Sequence, residues 1–211
     1  SFIAEYAKLA ILIGLVLYRP SARELIRAAI DRTTLGWAKL RPFLATNRDL
    51  FLRTLVLTIA LAAITRLSAE RGPEVLAANG IIYQLFVFTA LLLDGFENAA
   101  QVLNGERKGD KDRVGFAAYT RAILWRGLAA AALLSATFVV FANPVLASFA
   151  ATPEVARIAQ EQALWLIIIP FAGVASFVFD GVFVGASWTR AMLLSMIGAS
   201  VLFALSLWLT L

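Results

Sequence analysis

The chain contains no cysteine and no histidine. Without thiols there is no disulfide framework and no thiolate nucleophile, and without imidazole there is neither a Cys/His metal site nor a histidine-based triad. Any metal ion would have to be held by oxygen ligands. Charge is scarce as well, at 16% of 211 residues. The serines stand without a base, and no glycine-rich loop is arranged to cradle phosphate, so the expectation is no enzyme, no catalytic residues and no resident metal or cofactor.

What fills the chain instead is apolar. Hydrophobic residues make up 61%, the mean hydropathy is +0.80, and a soluble domain holds about 45–50% apolar residues. This composition is that of an integral membrane protein, all-α because lipid-facing backbone must satisfy its own hydrogen bonds. The net charge of +5 does not point to nucleic acid. The basic residues sit in short loops between apolar runs rather than among aromatics on a soluble face, which is the positive-inside pattern. The sequence opens at Ser1 already in one apolar run and stops at Leu211 inside another, so it reads as part of a longer chain.

About six transmembrane helices are expected. Phe2 to Tyr18, at about 1.5 Å per residue, just crosses a core of about 30 Å, and Arg19-Pro20 closes it. Residues 19–49 read as a basic amphipathic linker at the membrane surface. Thr46-Asn47-Arg48-Asp49 offers a helix cap before a span over about Leu50 to Leu67. Gly72-Pro73-Glu74 starts a third span that glycine ends at Asn104-Gly105, and Glu106 to Arg113 reads as a charged loop. A fourth span covers about Ala122 to Phe141 and stops at Asn143-Pro144. Thr152-Pro153-Glu154 starts one helix running to Gly185, kinked at Pro170. The last span begins near Ala191. Of 19 Lys and Arg residues, 15 fall in alternate loops that include the 19–49 linker, which places that linker in the cytoplasm.

The polar residues at membrane depth are few. Within Leu91 to Gln101 stand Asp94, Glu97, Asn98 and Gln101, and on a helix they share an arc of about 100° with Asn79 and Tyr83. A carboxylate in the hydrocarbon region costs about 2.5 kcal/mol or more, so it faces a partner or a wet cavity. The stripe either lines a solvated cavity that takes protons or cations, or forms a hydrogen-bonded seam between helices. Asp180, between Phe179 and Gly181, has the same alternatives: joining Asp94 around one pocket, or accepting from another helix's terminus. Arg53, Arg66 and Arg126 are read as snorkelling to the interfaces. Pro-Glu-Val recurs at 73–75 and 153–155, and an Asp-Gly pair follows a hydrophobic residue at 94–95 and 180–181, a weak hint of internal duplication.

Four stretches carry a family resemblance: Asn47-Arg48-Asp49-Leu50-Phe51-Leu52-Arg53-Thr54, Leu76-Ala77-Ala78-Asn79-Gly80-Ile81, Leu93-Asp94-Gly95-Phe96 with Ala99-Ala100, and Asp180-Gly181-Val182-Phe183-Val184-Gly185-Ala186. In that order they resemble the multidrug and toxic compound extrusion (MATE) family, in its DinF-like branch. The resemblance implies twelve helices in two six-helix lobes around a central cavity, exchanging H+ or Na+ for organic, often cationic, compounds by alternating access. Residues 1–18 would be the last helix of the N-terminal lobe, 19–49 the inter-lobe linker, and 50–211 most of the C-terminal lobe. It also implies a bacterial inner (plasma) membrane location, the N-terminal lobe as partner, a monomer when full length, and a coupling acid in the first helix, outside this chain. Asp94 and Asp180 match motif positions as cavity or packing residues; Glu97, Gln101, Asn104 and Glu106 depart from the pattern. The rival readings are a flippase for a lipid-linked precursor and a membrane subunit without a transport cycle.

Overall fold

The computed structural model describes residues 2–18 and 36–210. These form helices α1 (Phe2–Tyr18), α2 (Trp37–Glu70), α3 (Pro73–Gly109), α4 (Arg113–Phe149), α5 (Pro153–Glu161), α6 (Ala163–Gly185) and α7 (Thr189–Thr210). Among the described residues there is no strand. Five helical segments are long and apolar enough to cross a membrane: 44–70, α3, α4, α6 and 189–209. Tyr6–Leu15 of α1 is a shorter apolar stretch. The chain is an all-α, multi-pass membrane protein. It divides into two compact units, Ser1–Arg48 and Asp49–Leu211, and the core and the sites described below lie in the second.

Several expected helix ends are absent. The cap expected at Thr46 or Asn47 starts nothing, because α2 is already helical from Trp37; a cap worth about 1 kcal/mol offers a start but does not impose one. Gly105 does not end α3, which continues to Gly109, so most of the expected charged loop is helix. Gly105 is glycine for another reason: a side chain there would meet the Gly185 carbonyl oxygen at 3.3 Å. Asn143-Pro144 does not end α4, which carries Pro144 inside it and runs on to Phe149. In the other direction, the single helix expected from Pro153 to Gly185 is broken at Gln162 into α5 and α6. The start of α5 is as expected, with Thr152 Oγ accepting from Val155 N at 3.3 Å.

The core forms where α3, α4 and α6 pack together. Leu93, Ala100, Ile123, Ala131, Val174, Val178 and Val182 are buried in one cluster. A second cluster gathers Ala78, Ala142, Leu146, Val155, Ala159 and Leu166 around α5. Apolar burial drives little association inside lipid, where close packing and interhelical hydrogen bonds do the holding. Both are present. A side chain at Gly181 or Gly185 would fall inside the van der Waals envelope of the Glu97 or Gln101 carbonyl oxygen, so two glycines four residues apart let the α6 backbone lie directly on α3. Asn104, fully buried, accepts from Thr120 Oγ on α4 at 2.9 Å and donates to the Ala100 carbonyl at 3.0 Å. Ser135 of α4 donates to the Ile167 carbonyl of α6 at 2.8 Å.

Candidate functional site

The helical start at Pro73 and the glycine contacts with α6 fix the rotation of α3, and with it the direction of every polar side chain on it. The expected stripe divides in two along the helix axis. Asn79 and Glu97 are 18 residues apart, about 27 Å of helix rise, nearly a bilayer core. An arc on a helical wheel discards that axial distance.

At the first end, Asn79 donates to Ser68 Oγ at 2.8 Å, and Ser68 in turn donates to the Ile64 carbonyl. Asn79 and Tyr83 line a cavity of about 410 Å³ with Thr58, Thr65 and Ser68 of α2. Asn79 and Ser68 satisfy one another between the helices, while Thr58 and Thr65 turn their hydroxyls back to the Thr54 and Leu61 carbonyls of α2. The pattern there is one interhelical hydrogen bond beside a mainly apolar cleft that Leu61, Ile64 and Leu76 also line.

At the other end lie the charges. The Arg53 guanidinium of α2 donates to the Asp180 carboxylate of α6. Each side chain keeps about a quarter of its surface exposed, at 23% and 25%. Asp180 therefore neither accepts from a helix terminus nor shares its lining with Asp94; its partner is a side chain. Arg53 is correspondingly not a snorkelling residue. Its length and fork geometry suit a carboxylate, and its buried Nε lacks an acceptor among the described residues. Arg66 pairs with Glu70 on the exposed face of α2.

Arg53 and Asp180 open on a cavity of about 550 Å³ between α2, α6 and α7, which Phe179, Phe183, Met192 and Ser195 also line. Asp180 lies five residues before the end of α6, about 7.5 Å of rise, so the site sits towards one membrane face rather than at the midplane. Glu97 is half-buried, and Asp180, Asp94 and Arg53 are all close enough to act on it electrostatically. Neither the Glu97 nor the Asp94 carboxylate has a hydrogen-bond or ion-pair partner among the described residues. Asn98 and Gln101 are exposed, and Asn98 turns its amide back to the Asp94 carbonyl at 2.8 Å. Of the sequence-derived candidates, Glu97 has Asp94 and Asp180 near it, although Asp94 does not line the Asp180 cavity, while Asn79 and Tyr83 lie at the other end and Asn98 and Gln101 are exposed. No group of three acidic side chains among the described residues is arranged as a metal site. The missed member, Arg53, was legible only as a cation inside an apolar run.

Outside the spans, the exposed face of α5 carries one further charge cluster. Arg157 donates to Glu154 at 2.6 and 3.1 Å and also to Glu161. The hydrogen bond from Arg157 holds the Glu154 carboxyl below the ordinary range and, reciprocally, raises Arg157.

The MatE family model matches residues 50–209. The chain is 34% identical over 206 residues to the DNA damage-inducible protein F of Escherichia coli (strain K12), an alignment that covers 97% of this chain and 44% of that protein. It is 24% identical over 153 residues to the chloroplastic protein DETOXIFICATION 45 of Arabidopsis thaliana, covering 72% of this chain and 27% of that one. A MOP superfamily transporter from Pyrococcus furiosus has a similar fold, with a TM-score of 0.58 at 20% identity over 74% of this chain and 35% of the other. The chain spans less than half the length of each of these relatives.

Proposed function

This chain belongs to the MatE family, and on that premise we propose that it is most of the C-terminal lobe of a cation-coupled antiporter extruding organic compounds by alternating access. In this reading α1 ends the N-terminal lobe, residues 19–49 join the lobes in the cytoplasm, and the remaining helices build one wall of a central passage in a bacterial inner membrane. The substrate is an organic, often cationic, small molecule, and the coupling ion is H+ or Na+.

The observation that carries the proposal is a charge imbalance. Glu97, unpaired among the described residues, stands near two further carboxylates, Asp94 and Asp180, and near one guanidinium, Arg53, which Asp180 already engages. With all of them ionised the group has an excess of negative charge in surroundings where unpaired charge is costly. A proton or sodium ion entering relieves it. With Glu97 ionised, two acids compete for Arg53; once Glu97 is neutral or occupied, Arg53 belongs to Asp180 alone. Cation binding thus alters how firmly α2 is held to α6. A difference in cation affinity between two arrangements of α2 is what allows the ion to shift the transport equilibrium.

The test is ion flux in proteoliposomes containing the full-length transporter. Wild type should take up a fluorescent organic cation in exchange for H+ or Na+. Glu97→Gln and Asp180→Asn should each lower the cation-driven rate tenfold or more while leaving substrate binding measurable, the order expected when a protonatable group leaves a coupled step (about 10²–10⁴-fold for proton-transfer groups in enzymes). If both variants keep the rate and its ion dependence, the coupling role of these acids is wrong. If wild type moves no ion with any substrate, the antiporter reading itself falls.

A further inference from the structure

At the end of the bundle where α3 turns into α4 and α6 turns into α7, a cavity of about 530 Å³ is lined by four cationic side chains. Arg107 and Lys108 stand in the last turn of α3, Lys111 in the connecting turn, and Arg113 at the first position of α4. Lys111 is held at φ 59°, in the left-handed region that favours glycine. The lone carboxylate of the lining, Asp112, is already engaged. It caps α4 by accepting from Gly115 N at 2.8 Å and lies 3.7 Å from Arg107. Among the described residues no carboxylate pairs with Lys108, Lys111 or Arg113.

The wall of the cavity is aromatic. Phe116 and Trp188 meet with ring centroids 5.8 Å apart, and the Lys108 ammonium sits 4.5 Å above the Trp188 ring. That contact fixes one cation in place at low conformational cost. Arg107 is already engaged, its Nη1 3.6 Å from Asp110 and 3.7 Å from Asp112 and its guanidinium over the Tyr119 ring, which leaves Lys108, Lys111 and Arg113 as the cations without a carboxylate. Basic residues placed only to set topology would not need a concave aromatic pocket beside them.

Converging cations without a carboxylate suit an anion carrying several oxygens, and phosphate is the common one. The rings beside them suit an apolar continuation of the same molecule. The cavity lies at the ends of helices that cross the membrane, and tryptophan and basic residues collect where such ends meet lipid headgroups. We infer that this cavity binds the headgroup of an anionic phospholipid, with its phosphate held by Lys108, Lys111 and Arg113 and its glycerol against Phe116 and Trp188. The site uses none of Arg53, Asp94, Glu97 or Asp180, so it stands or falls separately from the antiport reading. A lipid bound there ties the α3–α4 turn to the α6–α7 turn.

The experiment is a titration of the delipidated full-length transporter in detergent with phosphatidylglycerol and with phosphatidylcholine, bound lipid being counted by native mass spectrometry. Phosphatidylglycerol should be retained in preference to phosphatidylcholine. The double variant Lys111→Ala/Arg113→Ala should weaken that retention about tenfold or more, and Arg66→Gln, at the opposite end of the bundle, should leave it unchanged. Should the double variant unfold, Lys108→Gln and Lys111→Gln singly must each weaken binding at an unchanged unfolding midpoint. Equal retention of the two lipids, or an equal loss in Arg66→Gln, overturns the site. Displacement of phosphatidylglycerol by an equal concentration of glycerol 3-phosphate would make the ligand a soluble phosphate and overturn the lipid assignment.

Discussion

Two successive residues of α6 face different kinds of neighbour. Gly181 lies against the α3 backbone so closely that no side chain fits, while Asp180 reaches across a cavity to Arg53 of α2. On the α3 side the contact is dry and made by main chain and small residues. On the α2 side it is charged and made by the tips of two side chains, and none of residues 50–67 of that helix is buried within the bundle. A packed backbone crossing admits one register. An ion pair beside a wet cavity can exchange partners, which makes the first contact suited to a scaffold and the second to a moving joint.

The largest effect should come from closing the space at the scaffold. Gly181→Ala pushes a methyl group into the Glu97 carbonyl, and overpacking of this kind costs about 3 kcal/mol or more where neither backbone can yield. Loss of monodisperse protein in size-exclusion chromatography is the expected result. At the joint, Arg53→Gln leaves Asp180 unpaired. A fully buried pair broken this way loses about 3–5 kcal/mol; partial exposure reduces that to about 1–3 kcal/mol. The lowered unfolding midpoint should recover in part when Asp180→Asn is added, and transport should not.

Asn104→Ala removes the clamp from Thr120 and leaves that hydroxyl with only the Phe116 carbonyl, for a cost of about 1–3 kcal/mol in thermal unfolding. Gly95→Ala sharpens the comparison from the other direction. Nothing lies within 4 Å of the added methyl, so relief of the helix-interior glycine should stabilise by about 0.5–1 kcal/mol. The smallest effect belongs to the exposed α5 cluster. Because the Glu154 carboxyl is depressed by Arg157, its contribution is complete above the unfolded carboxylate pKa and lost as pH falls through the lower folded value. The difference in unfolding midpoint between wild type and Glu154→Gln should therefore be present at neutral pH and vanish in strong acid.

The helical class and the five long apolar spans were legible because an uninterrupted apolar run of membrane length has few alternatives, whereas the break at Gln162 was not. Nor were the helix ends. Gly105, Asn143 and Pro144 are ordinary stop signals, yet tertiary contacts carry α3 and α4 past them, and Gly105 is spent on a close approach to Gly185. Gly181 and Gly185 stand four residues apart, the small-residue spacing that lets helix backbones approach in a membrane. Asp94, Glu97 and Asp180 could be nominated because charge in an apolar run needs a reason. Their separation from Asn79 and Tyr83 needed the helix axis, and the role of Arg53 needed its partner, 127 residues away in sequence.

The absence of cysteine from the chain makes it possible to measure the two contacts directly with paired spin labels in the full-length protein, freed of any cysteines elsewhere. One pair, Phe51→Cys with Leu194→Cys, reports on the α2 side; the other, Leu92→Cys with Phe171→Cys, reports on the α3–α6 crossing, and all four positions are exposed. Changing pH or adding sodium should shift the first distance by about 1–2 Å or more and leave the second fixed, with Glu97→Gln abolishing the shift. Two distances that both stay fixed, or that move together, would contradict a mobile charged joint on a rigid glycine-packed scaffold.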